Sequence, residues 1–251
     1  MFNKYFLSLT SIPVFTLYLS YWQVKRLNWK LNLIDDLNEK LSYDSIELPK
    51  KINLENLKNF DYFKFNLNGH FNKNFIFLRP RTYDNSIGVN VIQPFERKKD
   101  KGSTVLVNRG FVKNENIDDF MKNNENNHSQ SQSLTCFLKP HPTKNIFTPE
   151  NKPETNHWFW LDLDTISNHF KSLTNDQNLQ PVLLDSINYE NNGKTKQNLS
   201  TGTPVGCSPV IELRNQHAVY AITWFSLSIL TSGLLYKLNK STRHFKLMKN
   251  K

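Results

Sequence analysis

Two uncharged runs of membrane length lie near the ends of the chain, and they constrain where everything else can go. Residues 5–24, YFLSLTSIPVFTLYLSYWQV, carry no charge over 20 positions; as an α-helix they reach about 30 Å, the thickness of a hydrocarbon core. Pro13 is tolerated inside such a helix, and Tyr21 and Trp22 fall where an interfacial aromatic belt belongs. No small-residue cleavage site follows, so the run reads as an uncleaved anchor rather than a secretory signal peptide. The second run, AVYAITWFSLSILTSGLLY, makes residues 217–236 the second expected span. Behind it stand Lys237, Lys240, Arg243, Lys246, Lys249 and Lys251, whereas Arg214 alone stands close before it. The positive-inside rule therefore puts the basic tail, 237–251, on the inner side, and two spans bring the N-terminus to the same side. Lys25, Arg26 and Lys30 argue locally against this, but charges on a long translocated segment weigh little in that rule.

Residues 25–213 are then an outer domain. It opens on KRLNWKLNLIDDLNEKLSYD, where Leu27, Leu31, Ile34, Leu37 and Leu41 recur at one helical face, so the first helix is expected to continue and to end before Pro49. The period then shortens. YFKFNLNGHF, NFIFLRP, GVNVIQPF, TVLVNRGFV, SLTCFLKP, WFWLDLD and PVLLDSI each predict a strand. Their close succession predicts a mainly antiparallel sheet, with LDTISNHFKSL as the one helix among them. Two Asn-rich stretches, NENIDDFMKNNENNHSQSQ and YENNGKTKQNLSTGTPVG, predict mobile loops. The expected fold class is an α+β membrane protein, two transmembrane helices flanking a β-rich outer domain.

The net charge of +10 and isoelectric point near 9.5 suit either nucleic acid or an anionic membrane surface. Lys and Arg are dispersed or gathered beside the two spans, with no basic, aromatic-studded groove signature, so no nucleic-acid partner is expected. Cys136 and Cys207 lack metal-ligand spacing; a long-range disulfide between them stays open. The seven histidines form no HExxH, and neither a GxSxG elbow nor a phosphate-cradling glycine loop is present. Asp162 and Asp164 read as paired carboxylates or, more simply, as a helix start with its N-cap at Asp164. No catalytic machinery is visible, and the chain is not expected to be an enzyme.

Four stretches, in order between the spans, resemble the Surfeit locus protein family of cytochrome c oxidase assembly factors, including its fungal Shy-type members. They are YWQVKRLNWKLNLI, with Trp22, Gln23 and Arg26; RPRTYDNSIGVNVIQPFER followed by TVLVNRGFV, with Asn108, Arg109 and Gly110; FTPENKPETNHWFWLDLDTIS, with Asn156, Trp158 and Asp162; and LRNQHAVYAITWFSLS, with Tyr220. Ser20 and Tyr21 stand where the family often has a Gly before the Trp, and Phe111 replaces a usual Trp. The resemblance implies a multi-pass protein of the mitochondrial inner membrane, both termini in the matrix and the domain in the intermembrane space. It implies a role in early assembly of the oxidase around its largest subunit, alongside other assembly factors and inner-membrane lipids. It also implies a part in provision or insertion of heme a, bound transiently, with His217 as the heme iron ligand.

The residues around His217 allow two readings. A neutral imidazole ligates iron, and both the positive end of a helix dipole and nearby Arg214 disfavour its protonation. His217, Ala221, Trp224 and Ser228 share one helical face. That face could hold a flat porphyrin, with Arg214 near a propionate, or could be where the two spans pack, since small residues line transmembrane helix contacts. Asn108, Arg109 and Gly110 read either as a structural turn or as a functional loop. Trp158, Phe159 and Trp160 cannot all point inward from one strand. The rival for function is a two-span membrane receptor or channel subunit with a large outer domain, against which the cysteine count argues.

Overall fold

The computed structural model describes residues 4–98, 102–127, 130–141, 144–189, 192–208 and 215–249. The chain divides into two units, residues 1–38 with 211–251 and residues 39–210.

The first unit is a pair of long helices. Helix α1 runs Lys4–Ser42 without a break and carries Pro13 inside it, as the leucine spacing past the apolar run predicts. Of the described helices, only the last, α5 (His217–Lys249), has a stretch long and apolar enough to cross a membrane, His217–Ser241. The serine, threonine and tyrosine hydroxyls scattered through residues 5–24 keep α1 less apolar. The basic residues behind the second apolar run continue α5 to Lys249.

The two helices meet along small and hydroxyl side chains. Ser20 Oγ donates to the Ala221 carbonyl at 2.9 Å, and Ser228 Oγ donates to the Pro13 carbonyl at 2.9 Å. Thr16, Ser20, Ala221 and Ser228 are all buried there. Short side chains let the backbones approach closely enough for a hydroxyl to reach a carbonyl on the neighbouring helix. The opposite faces, with Val14, Phe15, Tyr18, Val219, Ile222, Ile229 and Leu230, are exposed.

The second unit is built on seven strands: β1 (Ile46–Glu47), β2 (Lys64–Phe71), β3 (Ile76–Tyr83), β4 (Ser86–Arg97), β5 (Val105–Lys113), β6 (Gln132–Phe137) and β7 (Leu183–Ser186). Their order is β1-β2-β6-β7-β5-β4-β3, and β2 also pairs with β4, which closes β2, β6, β7, β5 and β4 into a ring. All pairings are antiparallel except β1 with β2 and β5 with β7. Gly69 makes the closure. It pairs with Gln132 on β6 and Arg97 on β4, and a Cβ there would sit 2.0 Å from the Glu96 carbonyl oxygen. Pro80 lies on β3, an edge strand, where the ladder slips between Leu78 and Arg81; that is where a residue without an N–H fits.

Inside the ring, Phe65, Leu67, Phe71, Phe95, Val105, Val107, Cys136 and Leu184 form one core. Three helices cover the outside: α2 (Ile117–Asn127), α3 (Leu163–Thr174) and α4 (Asn192–Ser200). Phe120 of α2 packs with Phe77, Val89, Val91 and Val112; Ile166 and Phe170 of α3 pack with Ile76, Leu78, Ile92 and Trp158; Leu199 of α4 packs with Phe111 and Val205.

Three expectations are corrected and one open alternative is closed. The Asn-rich stretches each contain a helix, α2 and α4, because one buried apolar side chain apiece, Phe120 and Leu199, ties a polar segment to the sheet. WFWLDLD is not a strand: Trp158 makes an isolated bridge to Leu78, and the chain then runs irregularly into α3. The N-cap of α3 is Asp162, whose carboxylate accepts from Thr165 N at 3.2 Å and Thr165 Oγ1 at 2.8 Å; Asp164 lies in the first turn. Cys136 and Cys207 are free thiols.

Candidate functional site

In the helix pair, Gln23 of α1 meets His217 at the start of α5. His217 is its first residue, and its backbone N–H donates to Asn215 Oδ1 at 3.3 Å. Its ring Nδ1 lies 2.7 Å from Gln23 Oε1 on α1. An amide oxygen only accepts, so with the Gln23 amide in this orientation Nδ1 is the donor, and Nε2 is the ring nitrogen left outside the bond. Of the shared face, Ala221 and Ser228 are covered by α1 and Trp224 is half-buried; Tyr220, a motif residue beside that face, is exposed. Trp22 is exposed on α1, and the Arg26 guanidinium lies 4.8 Å from the Trp29 ring and 6.0 Å from that of Trp22. Arg214 lies outside the described residues.

In the strand domain the motif residues form two groups joined by no hydrogen bond among the described residues. Asn156 takes a left-handed backbone, φ 54°, after a short 3-10 turn, and its Oδ1 accepts from Trp158 Nε1 at 2.8 Å. That bond satisfies the one polar atom of a fully buried indole. Asn151 holds the rest of the loop: its Oδ1 accepts from Phe159 N and Trp160 N, and its Nδ2 donates to the Trp160 carbonyl. Asp162 then starts α3. This group presents no reactive side chain; it seats Trp158 against the sheet.

The second group lies at the centre of β5. Asn108 is buried, donates through Nδ2 to Asp185 Oδ1 at 2.7 Å, and accepts from Gly110 N at 3.1 Å. Gly110 has φ +116° and stands where a Cβ would meet the Val205 carbonyl oxygen at 1.9 Å, so glycine alone fits. Between Asn108, opposite Ile92, and Gly110, opposite Val91, the ladder slips by one residue. Arg109 is that extra residue. Its Nη1 donates to Gln93 Oε1 at 2.8 Å and Asn124 Oδ1 at 3.1 Å, and its guanidinium lies 4.4 Å from the Phe71 ring and 5.6 Å from that of Phe120. Burial lowers its pKa to about 10, which still leaves it charged at neutral pH.

Asp185, Gln93, Asn124, Asn151 and Arg97 escape the motif reading. Gln93 and Asp185 carry a signal nonetheless, a polar residue embedded in an apolar strand, VIQPF and VLLDS, which ordinarily marks a buried hydrogen-bonded group. Burial raises the Asp185 carboxyl above its ordinary range, and burial followed by the Asp185 charge pushes the Cys207 thiol up to about 12. His141, which with Asp185 lines a cavity of about 450 Å³, is held below its ordinary value, again by burial first. Among the described residues no group of three His, Cys, Asp or Glu side chains could hold a metal ion.

Comparison with known proteins bears on both units at once. The family model described as SURF1 family matches residues 11–229. Surfeit locus protein 1 of Homo sapiens is 30% identical over 242 residues, covering 90% of this chain and 74% of the human protein. A SURF1-like protein of Monosiga brevicollis is 31% identical over 238 residues, 90% and 84% of the two chains, and one of Caenorhabditis elegans is 30% identical over 241 residues, 88% and 69%.

Proposed function

The chain belongs to the SURF1 family, and on that premise we propose that it is a non-enzymatic assembly factor for mitochondrial cytochrome c oxidase. The observation that carries the reading is the family match over residues 11–229, which takes in helix pair and domain alike. The chain acts early, around the oxidase's largest subunit and together with other assembly factors, and assists provision or insertion of heme a. It resides in the mitochondrial inner membrane with α1 and α5 as two spans, both termini in the matrix. Two interhelical hydroxyl-to-carbonyl bonds favour a second span, since they tie α1 along the membrane-length part of α5. The exposed apolar faces of both helices suit contact with lipid.

Heme a is the cargo in this reading, and His217 the residue that ligates its iron. The ring fits at one atom: the bond from Nδ1 to Gln23 fixes the tautomer and leaves Nε2 as the ligating nitrogen. Ala221 and Ser228 are occupied with α1, so that length of the face serves helix packing rather than a porphyrin. Arg214, close to His217 in sequence, would supply the charge for a propionate, and Trp224 would border the ring.

The test is disruption of the gene with complementation. Loss of the oxidase's a-type absorbance and of its largest subunit, restored by the intact gene, is the expected outcome. Oxidase unchanged by the disruption overturns the reading in favour of a receptor or channel subunit. His217→Ala protein purified with heme a available is expected to carry less iron than wild type; equal iron in both removes His217 from the mechanism.

A further inference from the structure

Arg109 is a largely buried cation whose surroundings do not neutralise it. Among the described residues it has no carboxylate partner; its neighbours are two neutral amide oxygens and two aromatic faces. Ring faces and amides offset part of the loss of water around a guanidinium, but less than a counter-charge would. Both of its hydrogen bonds to described residues use Nη1, so the Nε–Nη2 edge, the edge that matches a carboxylate or phosphate with two parallel bonds, has no acceptor among those residues.

Arg97, on the neighbouring strand, shows what a purely structural arginine looks like in the same fold. Its Nε, Nη1 and Nη2 all donate, to the carbonyls of Leu48, Pro49, Lys50 and Ser103 and to Ser103 Oγ. Nothing is left over to bind a ligand. Arg109 instead lines a cavity of about 380 Å³, with Phe71, Phe120, Asn123, Asn124 and Gln132 among its walls. The bulge at Gly110 aims it there, and bulges serve to re-aim a side chain. Gln93, fully buried, fixes the guanidinium from behind: its Oε1 accepts from Arg109 while its Nε2 donates to the Asn72 carbonyl and to Asn124 Oδ1.

We propose that this cavity is a binding site for a small oxyanion, a carboxylate or a phosphate, held on the free edge of Arg109, with the amide side chains of Asn123 and Gln132 lining the cavity around it. The site does not depend on the role in oxidase assembly or on His217.

The experiment uses the full chain in lipid nanodiscs. Sodium phosphate and sodium malonate are each titrated at ionic strength matched with sodium chloride, and followed by calorimetry and by the unfolding midpoint. One-to-one saturable binding above the chloride control is expected, with the midpoint rising as the site fills. Saturation by phosphate alone, malonate alone or both identifies the anion class. Arg109→Lys, which keeps the charge and loses the fork, is expected to weaken binding by about tenfold or more. Gln132→Glu places a carboxylate in the same cavity while leaving Arg109 in place, and is expected to abolish binding in a protein that melts no lower than wild type. No saturable binding above chloride, or wild-type binding by Gln132→Glu, overturns the proposal; the second variant keeps the test decisive if Arg109→Lys fails to fold.

Discussion

The side chains that decide this domain are polar ones in apolar company. Asn108 shows why the motif around it was only half legible: Asn, Arg and Gly announce a special backbone, and the slip at Gly110 delivers one, but the partner Asp185 lies far away in sequence and reads as one acid in a strand. The order of such a pair emerges only once β5 and β7 lie parallel, Asn108 opposite Asp185. Burial makes the consequence pH-dependent. The folded-state pKa of Asp185 is raised, so the stability tied to its neutral form is full below the unfolded value near 4 and is lost as pH rises through the folded value. His141 acts with the opposite slope, since its value is lowered and its contribution is lost as pH falls. Asp185→Asn removes the first effect and, by taking away the charge that partly offsets burial at His141, strengthens the second. The stability of this variant relative to wild type, measured by urea unfolding, is expected to be higher at pH 8 than at pH 5. An equal difference at both pH values would show that the carboxyl is ionised in the fold at no net penalty.

At the scale of elements, the six longer strands, β2 to β7, stood out because alternation and β-branched runs are local signals, as did α1 and α3. Helices α2 and α4 did not, because their own sequences favour solvent and their order comes from Phe120 and Leu199 packing against strands distant in the chain. WFWLDLD deceived for the complementary reason: three aromatics in a row suggest a strand, whereas the side chain of Asn151 takes up the N–H groups of Phe159 and Trp160 that a neighbouring strand would otherwise need. The helix pair lies between these cases. Small residues on α5 marked a contact face, and the structure shows α1 filling it at Ala221 and Ser228. Ala221→Leu adds three carbons at a position 7% exposed, beside the Ser20 hydrogen bond, and is expected to destabilise the full chain in detergent by about 1–3 kcal/mol. Ile222→Leu, on the 67% exposed face, is expected to change it by less than about 0.5 kcal/mol. Equal effects of the two in chemical unfolding would mean that the helices do not depend on this seam.

For the molecule as a whole, the arrangement in a membrane follows from one helix and the charge behind it. The part of α5 from His217 to Ser241 is 25 residues long, and Lys237 and Lys240 within it begin the basic end that the positive-inside rule favours on the inner side of a membrane. If α1 also spans, Asp44, two residues beyond its end, belongs on the opposite side from Ser241. If α1 instead lies flat on the surface, the N-terminus and the domain share a side. A pair of single cysteines tests the α5 crossing that both arrangements share, and the native thiols do not interfere: Cys136 is buried, and burial with the neighbouring Asp185 charge raises both thiols, so neither forms the reactive thiolate at neutral pH. In mitoplasts, whose outer membrane is opened, a membrane-impermeant maleimide is expected to label Asp44→Cys at once and Ser241→Cys only after detergent is added. A third cysteine at Asn3, ahead of α1, then decides the first span: protection until detergent places it in the matrix with Ser241, whereas immediate labelling leaves α5 as the single crossing.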